Sequence, residues 1–265
     1  MKIALISDIH EDVVSLKKAL RMIETEKCDQ IICLGDILGY PYLRAKYSHT
    51  RNASECISLI RKNCQIVLLG NHDLFHIKKL PVFFSGFNFP DQWFNLTPEE
   101  QLEISENRIW NYTDDFPIVV NEKETEYLFS LPEFSIKEYA EEKILFSHFF
   151  FPNFSGYLTL KMNENTRLKE HFKYLSEQNC LWGICGHMHI EGLGICYEPG
   201  DDLFSQFFGG FNYYSFGKKR LKTKLGCVTI PALADNSQVN GFAIFDSEEH
   251  SINALSLNTN RRFIL

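Results

Sequence analysis

A chain of 265 residues can bury a sizeable core, and 45% hydrophobic with 23% charged residues is the balance of a soluble globular protein, not of a disordered or fibrous one. The formal net charge of -7 offers no overall field to attract nucleic acid, so any phosphate the protein handles must be neutralised locally. Eight cysteines without a C-x-x-C pair, with Cys33 and Cys185 inside apolar runs, point to a reduced cytoplasmic chain and not to a disulfide framework.

In chain order, the opening MKIALISDIH has too short an apolar run for a signal peptide or membrane anchor. The sequons at Asn52, Asn95, Asn111 and Asn153 are then expected to carry no glycan. Lys2 to Ser7 reads as a buried strand that delivers Asp8 and His10, and spacing of two places both on one side of an extended backbone. Asp12 caps a helix to about Lys27, with Leu16, Leu20 and Ile23 at helical spacing. Gln30 to Leu34 repeats the strand and ends in Gly35 and Asp36. A loop of Tyr40, Pro41 and Tyr42 follows, then a helix from Asn52 to Asn63 with Glu55 three residues past its cap. Ile66 to Gly70 is a third buried strand, stopping at Asn71, His72 and Asp73.

Beyond Asp73 the pattern changes. Aromatic residues crowd 83–94, and Thr97, Pro98 and Glu100 form a strong helix start. Residues 81–140 read as a mostly helical, partly irregular insertion within a single domain, acting either as a lid or substrate wall or as extra packing. Lys143 to Ser147 is a strand ending at His148. Asn163 to Gln178 is an amphipathic helix, and Leu181 to Cys185 a strand ending in Gly186, His187, Met188 and His189. Cys227 to Leu233, Gly241 to Asp246 and Ile252 to Leu257 are strands with short connections, which calls for an antiparallel closing part. Residues 207–224 combine aromatics with Lys218, Lys219, Arg220, Lys222 and Lys224, as single-strand nucleic-acid binders do, although a basic hairpin tip accounts for the same pattern.

Five strand ends thus present Asp8 and His10, Asp36, Asn71 and His72, His148, and His187 and His189. Mixed imidazole and carboxylate suits borderline divalent ions such as Mn, Fe, Zn or Co, where Mg or Ca would prefer oxygen alone. The set exceeds what one ion takes. Two ions sharing a bridging Asp, about 3.5 to 4 Å apart, would form the clamp used in phosphoester hydrolysis. No G-x-x-x-x-G-K-[ST], G-x-S-x-G or G-x-G-x-x-G occurs, so nucleotide-triphosphatase, α/β-hydrolase and dinucleotide-binding readings lack their motifs.

The ordered series DIH, GD, GNHD, SH and GHMH resembles the calcineurin-like metallophosphoesterase superfamily. GDILGY, Trp110, the Leu131-Pro132 region and the C-terminal strands are most similar to its compact bacterial phosphoesterase and diadenosine-tetraphosphatase-like branch. The resemblance implies an α/β, four-layer αββα sandwich of two mixed sheets flanked by helices. It implies one ion held by Asp8, His10, Asp36 and His189, another by Asp36, Asn71, His148 and His187, and Asp36 between them. His72 would be a proton donor and not a ligand, and Asp73 would orient its neighbours. Two divalent transition ions (Mn, Fe, Zn, Co or Ni, with Mn favoured) and a small phosphoester or nucleotide substrate follow from the same resemblance. A nuclease on single strands and a non-catalytic interaction scaffold remain open, as does the oligomeric state. Phe149 to Phe151 after His148 depart from the family pattern and would make the adjoining pocket apolar, as a stacking wall or as core.

Overall fold

The computed structural model describes residues 1–39, 49–84, 86–110, 112, 115–159, 164–199, 210–234 and 239–257. The Tyr40, Pro41 and Tyr42 loop, the Asn111 sequon and the first part of the 207–224 segment lie outside them. β1 (Lys2–Ile6), β2 (Gln30–Cys33) and β3 (Ile66–Val67) run parallel. β11 (Gly241–Asp246), β12 (Ser251–Ser256) and β9 (Gly217–Arg220) complete this sheet antiparallel, in the order β3-β2-β1-β11-β12-β9. The second sheet has the order β4-β5-β6-β10-β7-β8, formed by Phe134–Tyr139, Glu142–Ser147, Cys180–Cys185, Gly226–Thr229, Leu193–Tyr197 and Asn212–Tyr214.

Alternation along the strands builds the layers. Ile3 and Leu5 of β1 face Phe146, Trp182, Ile184 and Val228 across the sandwich, in one buried cluster. Ala4 and Ile6 turn the other way, onto Leu16, Ala19 and Ile23 of α1 (Val13–Thr25) and Ile57 and Ile60 of α2 (Ala53–Asn63). On the far side Leu145, Cys180 and Cys227 pack with Leu168, Phe172 and Leu175 of α6 (Glu164–Glu177). The result is the expected αββα sandwich of two mixed sheets. The local signals hold as well: Asp12 accepts from Ser15 N–H, Asn52 from Glu55 N–H, and Thr97 with Glu100 closes a capping box on α4 (Pro98–Ile104).

Three expectations need correction. β3 is only two residues long, where a strand from Ile66 to Gly70 was expected, and Asn71 to Asp73 open a short helix, α3 (Asn71–His76). Leu69 N–H leaves the sheet to bond Pro132 O at 2.9 Å, which is why pairing stops early. The 81–140 stretch is mostly irregular. Its helices are a 3-10 turn at Trp93–Asn95, α4 and α5 (Glu122–Phe129), and Phe134–Tyr139 is an edge strand paired with β5. Ring contacts take the place of helical periodicity here: Phe84, Phe87, Phe89 and Trp93 pack edge to face around a fully buried Trp93. Finally, of the three strands expected to close the chain only β11 and β12 pair with each other; β10 lies in the other sheet, parallel to β6 and antiparallel to β7.

His171 of α6 is buried in this core, accepting Phe151 N–H at Nδ1 (3.1 Å), and burial pushes its imidazole down to about 3. The unfolded chain protonates that ring near pH 6.5, so its contribution to stability is complete above 6.5 and drains as pH falls from there toward 3. Urea unfolding should show up to about 2 kcal/mol lost from this residue between pH 7 and 5. In His171→Leu that part of the slope should vanish even though overall stability drops.

Candidate metal centre

The loops that follow β1 and β2 are laced together by backbone bonds: Asp8 N–H to Gly35 O (3.0 Å), Ile9 and His10 N–H to Asp36 O (2.8 and 2.9 Å), and Glu11 N–H to Ile37 O (2.9 Å). The loop after β3 joins by close contact. A Cβ on Gly35 (φ 108°) would lie 2.5 Å from Gly70 N, so a side chain there would force the loops apart. Asp8, His10, Asp36, His187 and His189 have φ of 55°, 45°, 52°, 65° and 49°. These are left-handed residues, not an extended backbone, so the paired motifs converge by turning and not by alternation. Each such conformation costs on the order of 1 kcal/mol, which the lacing has to hold in place.

Second-atom contacts fix the rings. His10 Nδ1 bonds Gly39 O (2.6 Å) and His148 Nδ1 bonds Leu34 O (3.0 Å), which turns both Nε2 atoms inward. His148 Nε2 is then 3.1 Å from Asp36 Oδ2 and 3.8 Å from Asp8 Oδ1, and His189 Nε2 is 3.1 Å from Asp8 Oδ1. His10 Nε2 lies 3.8 Å from Asp36 Oδ2 and 3.1 Å from His189 Nε2. His187 points its Nδ1 at His148 Nε2 (3.2 Å), and its backbone N–H bonds Asp8 Oδ2 (3.0 Å). Asn71 donates Nδ2 to Tyr112 OH (3.2 Å), leaving its buried Oδ1 without a hydrogen-bond partner among the described residues.

Donor atoms of Asp8, His10 and His189 lie within 4.8 Å of one another, as do those of Asp36, His148 and His187, so either group could hold a metal ion. Two carboxylates and four imidazoles that turn donor atoms on one another, beside a buried Asn71 Oδ1 without a hydrogen-bond partner among the described residues, fit such an ion. Charge points the same way. Burial opposes ionisation of Asp36, but His148, His72 and His10 outweigh it and hold the carboxyl well below its usual range. Burial likewise opposes charge on His148, yet Asp36 and Asp8 lift it to about 9. His187 falls to about 3 through burial and the neighbouring His148.

Around this centre stand residues that anchor its loops, and one of them, His72, also brings a ring nitrogen within 4.8 Å of donor atoms of His10 and Asp36, a further group that could hold a metal ion. Asp73 is fully buried; its Oδ1 accepts from Ile37 and Leu38 N–H (both 2.9 Å) and its Oδ2 from Gly70 N–H (3.0 Å), so it ties the loop after β2 to the loop after β3. His72 N–H bonds Asp36 Oδ1 (2.9 Å), while its Nδ1 meets Asp115 Oδ2 at 2.7 Å. The same Asp115 oxygen bonds His76 Nε2 (2.8 Å). Asp115 and His76 were not found from the sequence. His76 lies one helical turn after His72, a spacing that could have flagged it, but Asp115 belongs to an irregular stretch with no motif. Phe149 and Phe150 are buried core, Phe149 packing on His187 at 4.6 Å, so they form no exposed stacking wall.

A family model described as calcineurin-like phosphoesterase matches residues 1–191. The chain belongs to the calcineurin-like phosphoesterase family. The family uses divalent metal ions, and the His and Asp groups described above could bind metal. An uncharacterised protein of Methanocaldococcus jannaschii, MJ0912, is 29% identical over 121 residues, which is 45% of this chain and 44% of that protein. The chain therefore aligns with less than half the length of that curated relative. In fold, a metallophosphoesterase from Sphaerobacter thermophilus is similar with a TM-score of 0.64 and 19% identity, over 98% of this chain and 89% of that one. The hypothetical protein PH1004 from Pyrococcus horikoshii OT3 follows with 0.54 and 15%, over 96% and 87%. Among the described residues no helix is long and apolar enough to cross a membrane.

Proposed function

We propose that this phosphoesterase hydrolyses small phosphodiesters, phosphomonoesters or nucleotides with two divalent transition ions, manganese favoured. Asp8, His10, Asp36 and His189 would hold one ion, and Asp36, Asn71, His148 and His187 the other. The single observation that carries this reading is Asp36, whose Oδ2 faces His148 and His10 from opposite groups while its Oδ1 is fixed by His72 N–H. Bound, such ions polarise water for attack on phosphorus and neutralise charge on the phosphoryl oxygens.

The chain's own part is positioning and proton delivery. His72 is held by Asp115 through Nδ1, and its ring lies beside His10 and Asp36, where it would protonate a leaving oxygen. Asp73 keeps the two loops in register. Residues 212–220 are not the hairpin expected, since β8 pairs with β7 in one sheet and β9 with β12 in the other, and the basic side chains are already engaged: Lys218 pairs with Glu249, and Lys219 and Lys222 lie over Tyr214 and Tyr197 at 4.4 and 5.2 Å, which speaks against a nucleic-acid groove. Lysines along edge strand β9 also discourage edge-to-edge pairing.

Hydrolysis of bis(p-nitrophenyl) phosphate by protein reconstituted separately with Mn, Fe, Co, Ni and Zn tests the reading. Turnover with at least one of them is expected, and silence with all five would favour the scaffold. Asp115→Ala should keep its metal and lose roughly 10- to 100-fold in turnover, the usual cost of removing a residue that orients another. Unchanged rates in that variant would leave Asp115 a purely structural anchor.

A further inference from the structure

The insertion places Trp110 and Tyr112 two residues apart, and each touches a residue assigned to the same ion. The Trp110 indole meets the His187 ring edge-on at 5.6 Å, and Tyr112 OH accepts from Asn71 Nδ2. Between them lies a crevice of about 20 Å³, walled also by Phe75, Pro98, Leu102 and Ile109, too small for a ring, so a planar group would have to lie on the open face of the indole. Its remaining amide, Gln101, donates to Trp93 O (2.8 Å), so the walls are in effect apolar. Trp93 and Trp182 are each 1% exposed, but Trp110 is 42% exposed, although its N–H is already satisfied by Gly156 O at 2.8 Å. That bond needs a glycine: a Cβ at Gly156 (φ 75°) would come 2.7 Å from the His187 ring. The indole is thus pinned at the rim of the metal site with its apolar surface open to water, and the cost of that exposure is recovered if a flat ring covers it.

We propose that Trp110 is a subsite for the aromatic part of the ester, a nucleobase or aryl group that stacks on the indole while the phosphate lies at the metal centre. The proposal deepens the phosphoesterase reading and rests on it for the position of the phosphate. The expected substrates are then esters with a planar organic group. Sugar or alkyl esters should be poorer for want of the stack.

Two measurements test it. In the first, kcat/KM is compared for adenosine 5'-monophosphate and ribose 5-phosphate, which share the ester and differ in the base. Wild type should prefer the nucleotide, Trp110→Ala should lose roughly 5- to 100-fold on it alone, and Trp110→Phe should keep most of the preference. Equal losses on both esters in Trp110→Ala and Trp110→Phe would overturn the subsite and make Trp110 a packing residue. The second uses adenosine, which has no phosphate to hydrolyse. Because the other two tryptophans are buried, saturable quenching of intrinsic fluorescence should come from Trp110 and disappear in Trp110→Phe. Quenching in a protein that hydrolyses no ester would uphold the subsite while removing the phosphoesterase reading. Hydrolysis without quenching, or quenching that survives in Trp110→Phe, would remove the subsite and leave the phosphoesterase.

Discussion

Asp36→Asn should lose roughly 10²- to 10³-fold or more in activity, as when one strong electrostatic contact to the reacting group is removed, and more than substitution of any one of His10, His148, His187 or His189. The reason lies in where its oxygens go. Oδ2 lies 3.1 Å from His148 Nε2 and 3.8 Å from His10 Nε2, one ring from each proposed ion, while Oδ1 holds the backbone of His72. An amide keeps the shape but not the charge, so both ions would be held less tightly at once. Losing His189 or His187 removes a ligand from one ion only. Metal content after dialysis, measured beside turnover, checks this: Asp36→Asn should retain fewer than two ions per chain, and full occupancy with full turnover would show that Asp36 bridges nothing.

His72→Ala should behave differently, keeping its metals and losing activity according to the leaving group. A nitrophenolate departs without a proton, whereas an alkoxide or ribose oxygen needs one, and the value of a general acid rises with that basicity. The expected loss is roughly 10²- to 10⁴-fold on alkyl or nucleoside esters and distinctly less on nitrophenyl esters. Its bond to Asp115 matters here, because a carboxylate at Nδ1 fixes the orientation of the ring. Equal losses on the two ester types would make His72 a phosphate holder, and missing metal would make it a ligand.

Much of the centre was legible because its residues follow continuous apolar runs. Ile3 to Ile6, Ile32 to Leu34 and Leu68 to Leu69 are buried, and a strand of that kind announces both itself and the polar residue that ends it. Caps were legible for the same local reason, as with Asp12, Asn52 and Thr97. Elsewhere the determining contacts are long in sequence. Asp115 reaches His72 across 43 residues from a stretch without period, and nothing near it in the chain marks it. The left-handed turns of Asp8 and His187 are set by bonds to Gly35 O and to Asp8 itself, so an alternating strand was the natural expectation and the wrong one. Short edge strands such as β8, with Tyr213 exposed, carry too little buried apolar surface to stand out. The aromatic cluster around Trp93 imitates no periodic element at all.

The central claim is a pair of ions astride Asp36, and anomalous diffraction from crystals of the manganese-loaded protein tests it most directly. Two peaks about 3.5 to 4 Å apart are expected. One should lie against Asp8, His10 and His189 and the other against Asn71, His148 and His187, with the Asp36 carboxylate reaching both. A single peak, or two that do not share Asp36, would contradict it.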